Sequence, residues 1–180
     1  RRNGWGFIIP DFETTSFGAY AFDRYTIKKD LILNAGVRYD HVTTNIHSYN
    51  DWFKTPINAT DSVYKQRSQD LHRSFNSLTW SAGINYATGN WILKANIGKS
   101  FRVPIPKELG TDGINYHIFR YEKGNPTLNP EESYQLDLGL RWGNDKVTVQ
   151  FDPYLNYFPN YIYMNPTPNY YEGLQWYYYT

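Results

Sequence analysis

The chain has 180 residues, a formal net charge of +1 and no cysteine. Balanced charge gives no global attraction to nucleic acid, and the missing thiols exclude a disulfide framework, a thiolate nucleophile and a thiolate metal site. Phe, Trp and Tyr make up 19% of the residues, more than a small dry core needs. Such amphipathic rings suit boundaries between an apolar layer and water.

No stretch is apolar for the roughly 20 residues a spanning helix requires, yet a spanning strand needs only about 10 of alternating polarity. The chain opens at Arg1 with neither an initiating methionine nor a signal-peptide pattern, and stops in an aromatic run. It reads as a segment of something longer.

Trp5, Phe7 and Ile9 line one face of a short predicted strand ended by Pro10. Residues 16–26 are strand-like, with Tyr20 and Phe22 on one face and Phe17, Ala19 and Ala21 on a less polar reverse than usual. Lys28, Lys29 and Asp30 mark a turn. Leu31, Leu33, Ala35, Val37 and Tyr39 then alternate with Asn34, Gly36, Arg38 and Asp40. Residues 42–76 are polar and rich in turn formers, and read as a long loop.

Alternation returns with Leu78, Trp80, Ala82, Ile84 and Tyr86 against Thr79, Ser81, Gly83 and Asn85. Thr88, Gly89 and Asn90 turn the chain, and Trp91, Leu93, Ala95 and Ile97 resume the apolar face opposite Lys94, Asn96, Gly98 and Ser100. A second polar segment covers residues 102–131. Next comes the clearest hairpin of the chain. Tyr134, Leu136, Leu138, Leu140 and Trp142 oppose Gln135, Asp137, Gly139 and Arg141; after a turn at Gly143, Asn144 and Asp145, Val147, Val149 and Phe151 oppose Thr148, Gln150 and Asp152. A third loop, residues 158–173, leads into Trp176, Tyr177, Tyr178 and Tyr179, expected to be an interface girdle or a core-facing strand.

Short turns near residues 29, 89 and 144 alternate with long connections. Antiparallel strands joined this way collect the long segments on one rim, as in outer-membrane barrels. Backbone in hydrocarbon must pair internally, so six strands and a remnant imply an arc of a larger closed wall.

The segments SFGAYAFDRY, LILNAGVRYD and WSAGINY, with NIGKSFRVPIPKEL at residues 96–109 and GNPTLNPEESYQLDLGLRW at 124–142, carry a family resemblance. Together they resemble the C-terminal part of the barrel of a TonB-dependent outer-membrane receptor of the Bacteroidota kind. The Phe-Arg-x-Pro turn maps onto Phe101, Arg102 and Pro104. The Gly-Asn-Pro-x-Leu-x-Pro-Glu strand entry maps onto Gly124, Asn125, Pro126, Leu128, Pro130 and Glu131.

The resemblance implies an all-β fold: an antiparallel transmembrane β-barrel segment, an arc of a roughly 22-stranded barrel whose lumen holds a plug. It implies a bacterial outer-membrane location and TonB-coupled uptake of a scarce nutrient, without catalysis, cofactor or metal. Implied partners are outer-membrane lipid, a plug domain and TonB acting through an N-terminal region, neither of which appears in this sequence. A surface lipoprotein and a small nutrient, glycan or peptide substrate complete the set. The competing expectation is a secreted all-β carbohydrate- or ligand-binding module, whose apolar strand faces pack against one another.

Phe101, Arg102, Pro104, Asn125, Pro126, Pro130 and Glu131 are expected to anchor the loops, with Arg102 pairing Glu108 or Glu131. Trp52 and the segment Tyr116, His117, Phe119, Arg120 and Tyr121 mix aromatic and hydrogen-bonding groups, which suits a substrate-facing surface; self-packing of these loops is the plainer alternative. Trp91 and Trp142 suit a membrane-boundary belt, and Trp80 less so, as it begins its strand near the opposite rim. Arg38, Asn85, Lys94, Asn96, Asp137 and Arg141 are expected on a lumen-facing surface. The four histidines lack metal-site spacing, and no nucleophile elbow or facing carboxylate pair can be placed.

Overall fold

A seven-stranded antiparallel sheet is the largest unit among the described residues. The computed structural model describes residues 9–180, so the strand expected around Trp5 and Phe7 lies outside the described residues. The sheet runs β1 (Phe12–Lys28), β2 (Leu31–Ile46), β5 (Leu71–Thr88), β6 (Trp91–Arg102) and β9 (Glu131–Gly143), with β10 (Thr148–Phe151) and β11 (Tyr154–Asn160) both paired to β9. β10 and β11 are one course interrupted at Asp152 and Pro153. Proline has no N–H to give the ladder, while its carbonyl still accepts from Leu138 N at 3.0 Å.

Register places the side chains in cross-strand rows. One face carries the row Ala21, Val37, Trp80, Lys99, Tyr134 and Tyr157, and below it Asp23, Ala35, Ala82, Ile97, Leu136 and Leu155. Nearer the turns stand Leu31, Tyr86, Leu93, Leu140 and Phe151, then Trp91 beside Trp142 with ring centroids 6.4 Å apart. The opposite face carries Arg24, Asn34, Gly83, Asn96, Asp137 and Tyr154 in one row. Arg38, Asn85, Lys94 and Arg141 share that polar face, as their alternation requires.

Among the described residues the apolar face has no second layer. Leu33, Val37, Ile84, Leu93, Ile97, Leu136, Leu138 and Leu140 all remain exposed. A secreted sandwich would bury them against another sheet, so the binding-module expectation does not fit this architecture. From Leu31 to Tyr39 the band extends about 26 Å along the strand, or roughly 20 Å vertically at a tilt near 40°. That is of the order of the apolar band of an outer-membrane barrel, roughly 25 Å tall.

Three sequence expectations change here. Tyr20 and Phe22 pair with Arg38 and Gly36 and so join the polar face, whereas Phe17, Ala19, Ala21 and Tyr25 extend the apolar one. Both sides of this strand are apolar, so only its pairing with β2 decides the orientation. Trp80 sits in the middle of β5, level with Lys99 and Tyr134, because β5 begins at Leu71 rather than near residue 77.

The polar connections, thirdly, hold regular structure. Residues 42–76 contain the upper ends of β2 and β5 and a hairpin of β3 (Tyr49–Pro56) and β4 (Ser62–Ser68). Residues 102–131 contain α1 (Pro106–Gly110), β7 (Asp112–Asn115) and β8 (Arg120–Lys123). Beyond β11 come β12 (Met164–Tyr171) and β13 (Leu174–Tyr179). These form a four-stranded sheet in the order β12-β13-β8-β7, with β13 parallel to β8. The terminal aromatics therefore belong to this lobe, with Tyr179 buried in its core, and not to a girdle.

The short ends are local chemistry. Gly89 takes φ +54°, a left-handed turn conformation that L side chains resist. Asn144 Oδ1 accepts from the backbone N–H groups of Lys146 and Val147, both at 2.9 Å, fixing the β9–β10 turn. The dry core lies at the other end, where Ile46, Phe75, Leu109, Leu128, Ile162 and Tyr179 join lobe to sheet.

The face assignment has a direct energetic consequence. Leu138→Lys on the bare apolar face should cost about 2–4 kcal/mol of folding free energy in lipid vesicles, as measured by urea titration. Asn96→Lys on the polar face, beside Asp137, should cost little. Equal penalties would contradict the assignment.

Candidate functional site

The two motif segments meet at the end of the sheet that carries the lobe. Register pairs Arg102, the last residue of β6, with Glu131, the first of β9. Arg102 Nε donates to Glu131 Oε2 at 2.5 Å, and its Nη1 donates to Glu108 Oε2 at 2.9 Å. One guanidinium thus ties both carboxylates, since its planar fork offers donors in fixed directions. Each carboxylate also caps backbone. Glu108 Oε2 accepts from Ile105 N at 2.8 Å, and Glu131 Oε1 accepts from Ile162 N at 2.6 Å. Three connections are held at one point.

The neighbouring motif residues brace this hub. Pro104 is fully buried. Gly124 lies so close to α1 that a Cβ there would stand 2.7 Å from the Leu109 carbonyl carbon and 2.8 Å from Gly110 N, so any side chain meets backbone. Asn125 N donates to Glu108 O at 2.7 Å, and Asn125 Oδ1 accepts from Thr127 N at 3.0 Å, shaping the turn. Arg73 donates to the Pro126 and Leu128 carbonyls. Asn160 Nδ2 donates to Pro130 O at 2.6 Å. Phe101 pairs in register with Glu132, which takes a 2.6 Å ion pair from Lys99. All seven predicted anchoring residues therefore gather at the rim.

The predicted substrate-facing set divides. At the β7–β8 tip Tyr116, His117 and Phe119 are exposed, Phe119 at 73% with φ +49°. Trp52 is exposed on β3, edge-on to Phe53 at 5.5 Å. Arg120 instead stacks over Tyr177 at 4.9 Å and donates to Glu122 at 2.7 Å. Tyr121 is buried between Tyr171 and Trp176, at 4.7 and 5.3 Å, with its hydroxyl donating to Asp112. Its ring faces the interior of the lobe, which corrects the expectation of a substrate-facing Tyr121. Strand alternation explains the split, because Tyr121 and Arg120 leave β8 on opposite sides.

The sequence reading missed the lobe's own staples. Glu122 is 1% exposed and receives Lys107 Nζ at 2.6 Å, Arg120 Nε at 2.7 Å and Asn115 Nδ2 at 3.0 Å. Burial opposes its ionisation, but these three donors outweigh burial and hold the carboxyl below its usual range. Arg67 and Asp51, both nearly buried, pair at 2.7 Å between β4 and β3. Burial and nearby carboxylates push the Tyr179 hydroxyl up to about 12. The sequence held no clear signal for β8, whose four residues place one aromatic among three charged side chains. Among the described residues no group of three or more His, Asp or Glu side chains is placed to hold a metal ion.

The arrangement is that of an outer-membrane β-barrel wall: a bare apolar face, a polar reverse, short turns at one end and a stapled lobe at the other. Residues 3–180 match the family model described as TonB dependent receptor-like, beta-barrel, and the chain belongs to that family. The search of curated proteins returned no match.

Solved structures agree on the fold. The haemophore receptor HasR of Serratia marcescens, solved as a double mutant with its haemophore HasA and haem, is 21% identical with a TM-score of 0.76, over 99% of this chain and 31% of that one. The copper transporter OprC is 16% identical with a TM-score of 0.71, over 94% of this chain and 25% of that one. The siderophore receptor PirA of Pseudomonas aeruginosa is 16% identical with a TM-score of 0.52, over 93% and 36%. The chain thus spans about a third or less of the length of these structures.

Removing the guanidinium leaves two largely buried carboxylates without a counter-charge. Arg102→Gln should destabilise the rim by about 1–3 kcal/mol, less than for a fully buried pair because Arg102 itself is partly exposed. Limited proteolysis should cut residues 103–130 faster while the heat-modifiability of the wall strands is unchanged. Unchanged proteolysis would show that the hub does not hold the lobe.

Proposed function

We propose that this chain forms an arc of the wall of a roughly 22-stranded outer-membrane receptor that imports a scarce nutrient with energy relayed by TonB. The carrying observation is an apolar face that the described residues leave bare along the sheet, opposite a face that carries most of its polar side chains. Lipid is the solvent that suits the first, and a lumen filled by a plug and water suits the second. Arg38, Asn85, Lys94, Asn96, Asp137 and Arg141 would then contribute, as a set, to the lumen lining and the plug contacts. HasR and PirA are receptors and OprC is a transporter, which agrees with a carrier's role.

In this reading the Arg102 hub fixes the lobe above the lumen on the outer side. Trp52, Tyr116, His117 and Phe119 present the exposed ring surface that meets substrate, while Arg120 and Tyr121 hold that surface in place. A surface lipoprotein would have the lobe as its seat. Binding and gating require no covalent chemistry.

The test is uptake by cells. Deleting the gene that encodes this chain should abolish high-affinity uptake of one nutrient, and removing TonB from the wild type should abolish the same uptake. Full growth of the deletion strain on every limiting iron, copper, cobalamin, peptide and glycan source would contradict the proposal. So would a protein released from membranes by salt without detergent.

A further inference from the structure

The polar face contains a groove whose composition differs from the rest of the wall. It lies on β1, β2, β5 and the end of β6, has a cavity volume of about 490 Å³, and is lined by Tyr20, Phe22, Arg38, Asp40, Thr79 and Ser81. Here two aromatic rings stand among polar groups, Tyr20 at 76% and Phe22 at 63% exposed. Rings left this bare on a wetted face carry a solvation cost that a stacked ligand relieves.

Glycines set the floor. The Arg38–Asp40 pair lies across Gly18, where a Cβ would meet Arg38 Nη2 and Asp40 Oδ1 at 2.6 Å each. The Phe22 ring lies over Gly36, whose Cβ would stand 3.2 Å from its Cδ2. Side chains at residues 18 or 36 would lift these groups into the groove. The pair is bidentate, with Arg38 Nε donating to Asp40 Oδ2 at 2.7 Å and Nη2 to Oδ1 at 2.6 Å. Its remaining N–H groups and carboxylate lone pairs give donors and acceptors side by side.

The charges within the groove cancel. Arg38 is matched by Asp40, and Lys99, which the register places on the opposite face, is matched by Glu132. Among the described residues no unpaired cation lines the groove to favour an anionic chelate or a phosphate. Flat rings, a neutral donor–acceptor pair and the hydroxyls of Thr79 and Ser81 fit a neutral polyhydroxylated ligand, which stacks its C–H faces and shares its hydroxyls in both directions.

We infer that this groove is a binding subsite for a neutral oligosaccharide, with Tyr20 the stacking platform and Arg38–Asp40 the hydroxyl clamp. The inference rests on the proposed function, since it takes the polar face to line the lumen. It places a sugar contact on the wall itself, below the exposed rings of the lobe.

The test is calorimetric titration of the intact, detergent-solubilised protein with maltohexaose, cellohexaose, xylohexaose and mannohexaose, against hexagalacturonic acid and a ferric catecholate. A neutral hexaose should bind, and Tyr20→Ala and Arg38→Gln should each weaken it roughly tenfold or more. Heat-modifiability should stay unchanged in both variants. Failure to bind any neutral hexaose, tighter binding of the acid or the chelate, or undiminished binding by Tyr20→Ala overturns the inference. A Tyr20→Cys thiol that resists a water-soluble maleimide in the ligand-free protein also overturns it, because another part of the protein then fills the groove. A lipid-facing thiol at that position would instead sink the underlying assignment of faces.

Discussion

Backbone pairing is the constraint on which everything else depends. In hydrocarbon, every N–H and C=O must find a partner within the protein, so long strands must lie in an unbroken antiparallel ladder. The ladder fixes the register, and the register sorts side chains into two faces with a period of two. Leu136, Leu138 and Leu140 then share one environment, while Gln135, Asp137 and Gly139 share another a few ångströms away. Nothing else in the fold is free to choose which face meets lipid.

The same constraint explains the division of labour along the strands. Above Tyr39 and Leu78 the outward side chains become His41, Asn76, Thr43, Ser74, Asn45 and His72, which hydrogen-bond across the β2–β5 seam. The sheet has left the apolar layer there, and side-chain polar groups find partners of their own. Only beyond that point does a dry core form, around Ile46, Leu109 and Leu128. Charged staples are concentrated in the same region: Arg102 with Glu108 and Glu131, Arg67 with Asp51, and Lys107 with Glu122. A loop-rich lobe with a small core gains definition from such pairs, because each ties one element or connection to another.

Much of the wall was legible in the sequence because period-two alternation is a local signal. Strands β2, β5, β6 and β9 each carry an apolar file broken by little, and short turn formers mark their ends. Strand β1 was not legible in orientation, since Phe17, Ala19, Ala21 and Tyr25 are as apolar as Tyr20 and Phe22. Only pairing with Arg38 and Gly36 separates them, and pairing is not a local property. The lobe was hidden for a related reason: β7 and β8 are four residues each, too short for alternation to rise above chance. The Arg102 contacts with both glutamates were legible as alternatives from charge and motif. The burial of Tyr121 was not, because its partners Tyr171 and Trp176 lie some fifty residues downstream.

The absence of native cysteine in this chain makes the central assignment of faces directly measurable. Single cysteines at residues 136–141 of β9 would carry spin labels in the protein reconstituted in lipid bilayers. Collision with apolar oxygen should be high at 136, 138 and 140, and collision with a water-soluble nickel chelate high at 137, 139 and 141. An inverted phase, or equal access of the nickel chelate to all six sites, would contradict the account of a lipid-facing wall.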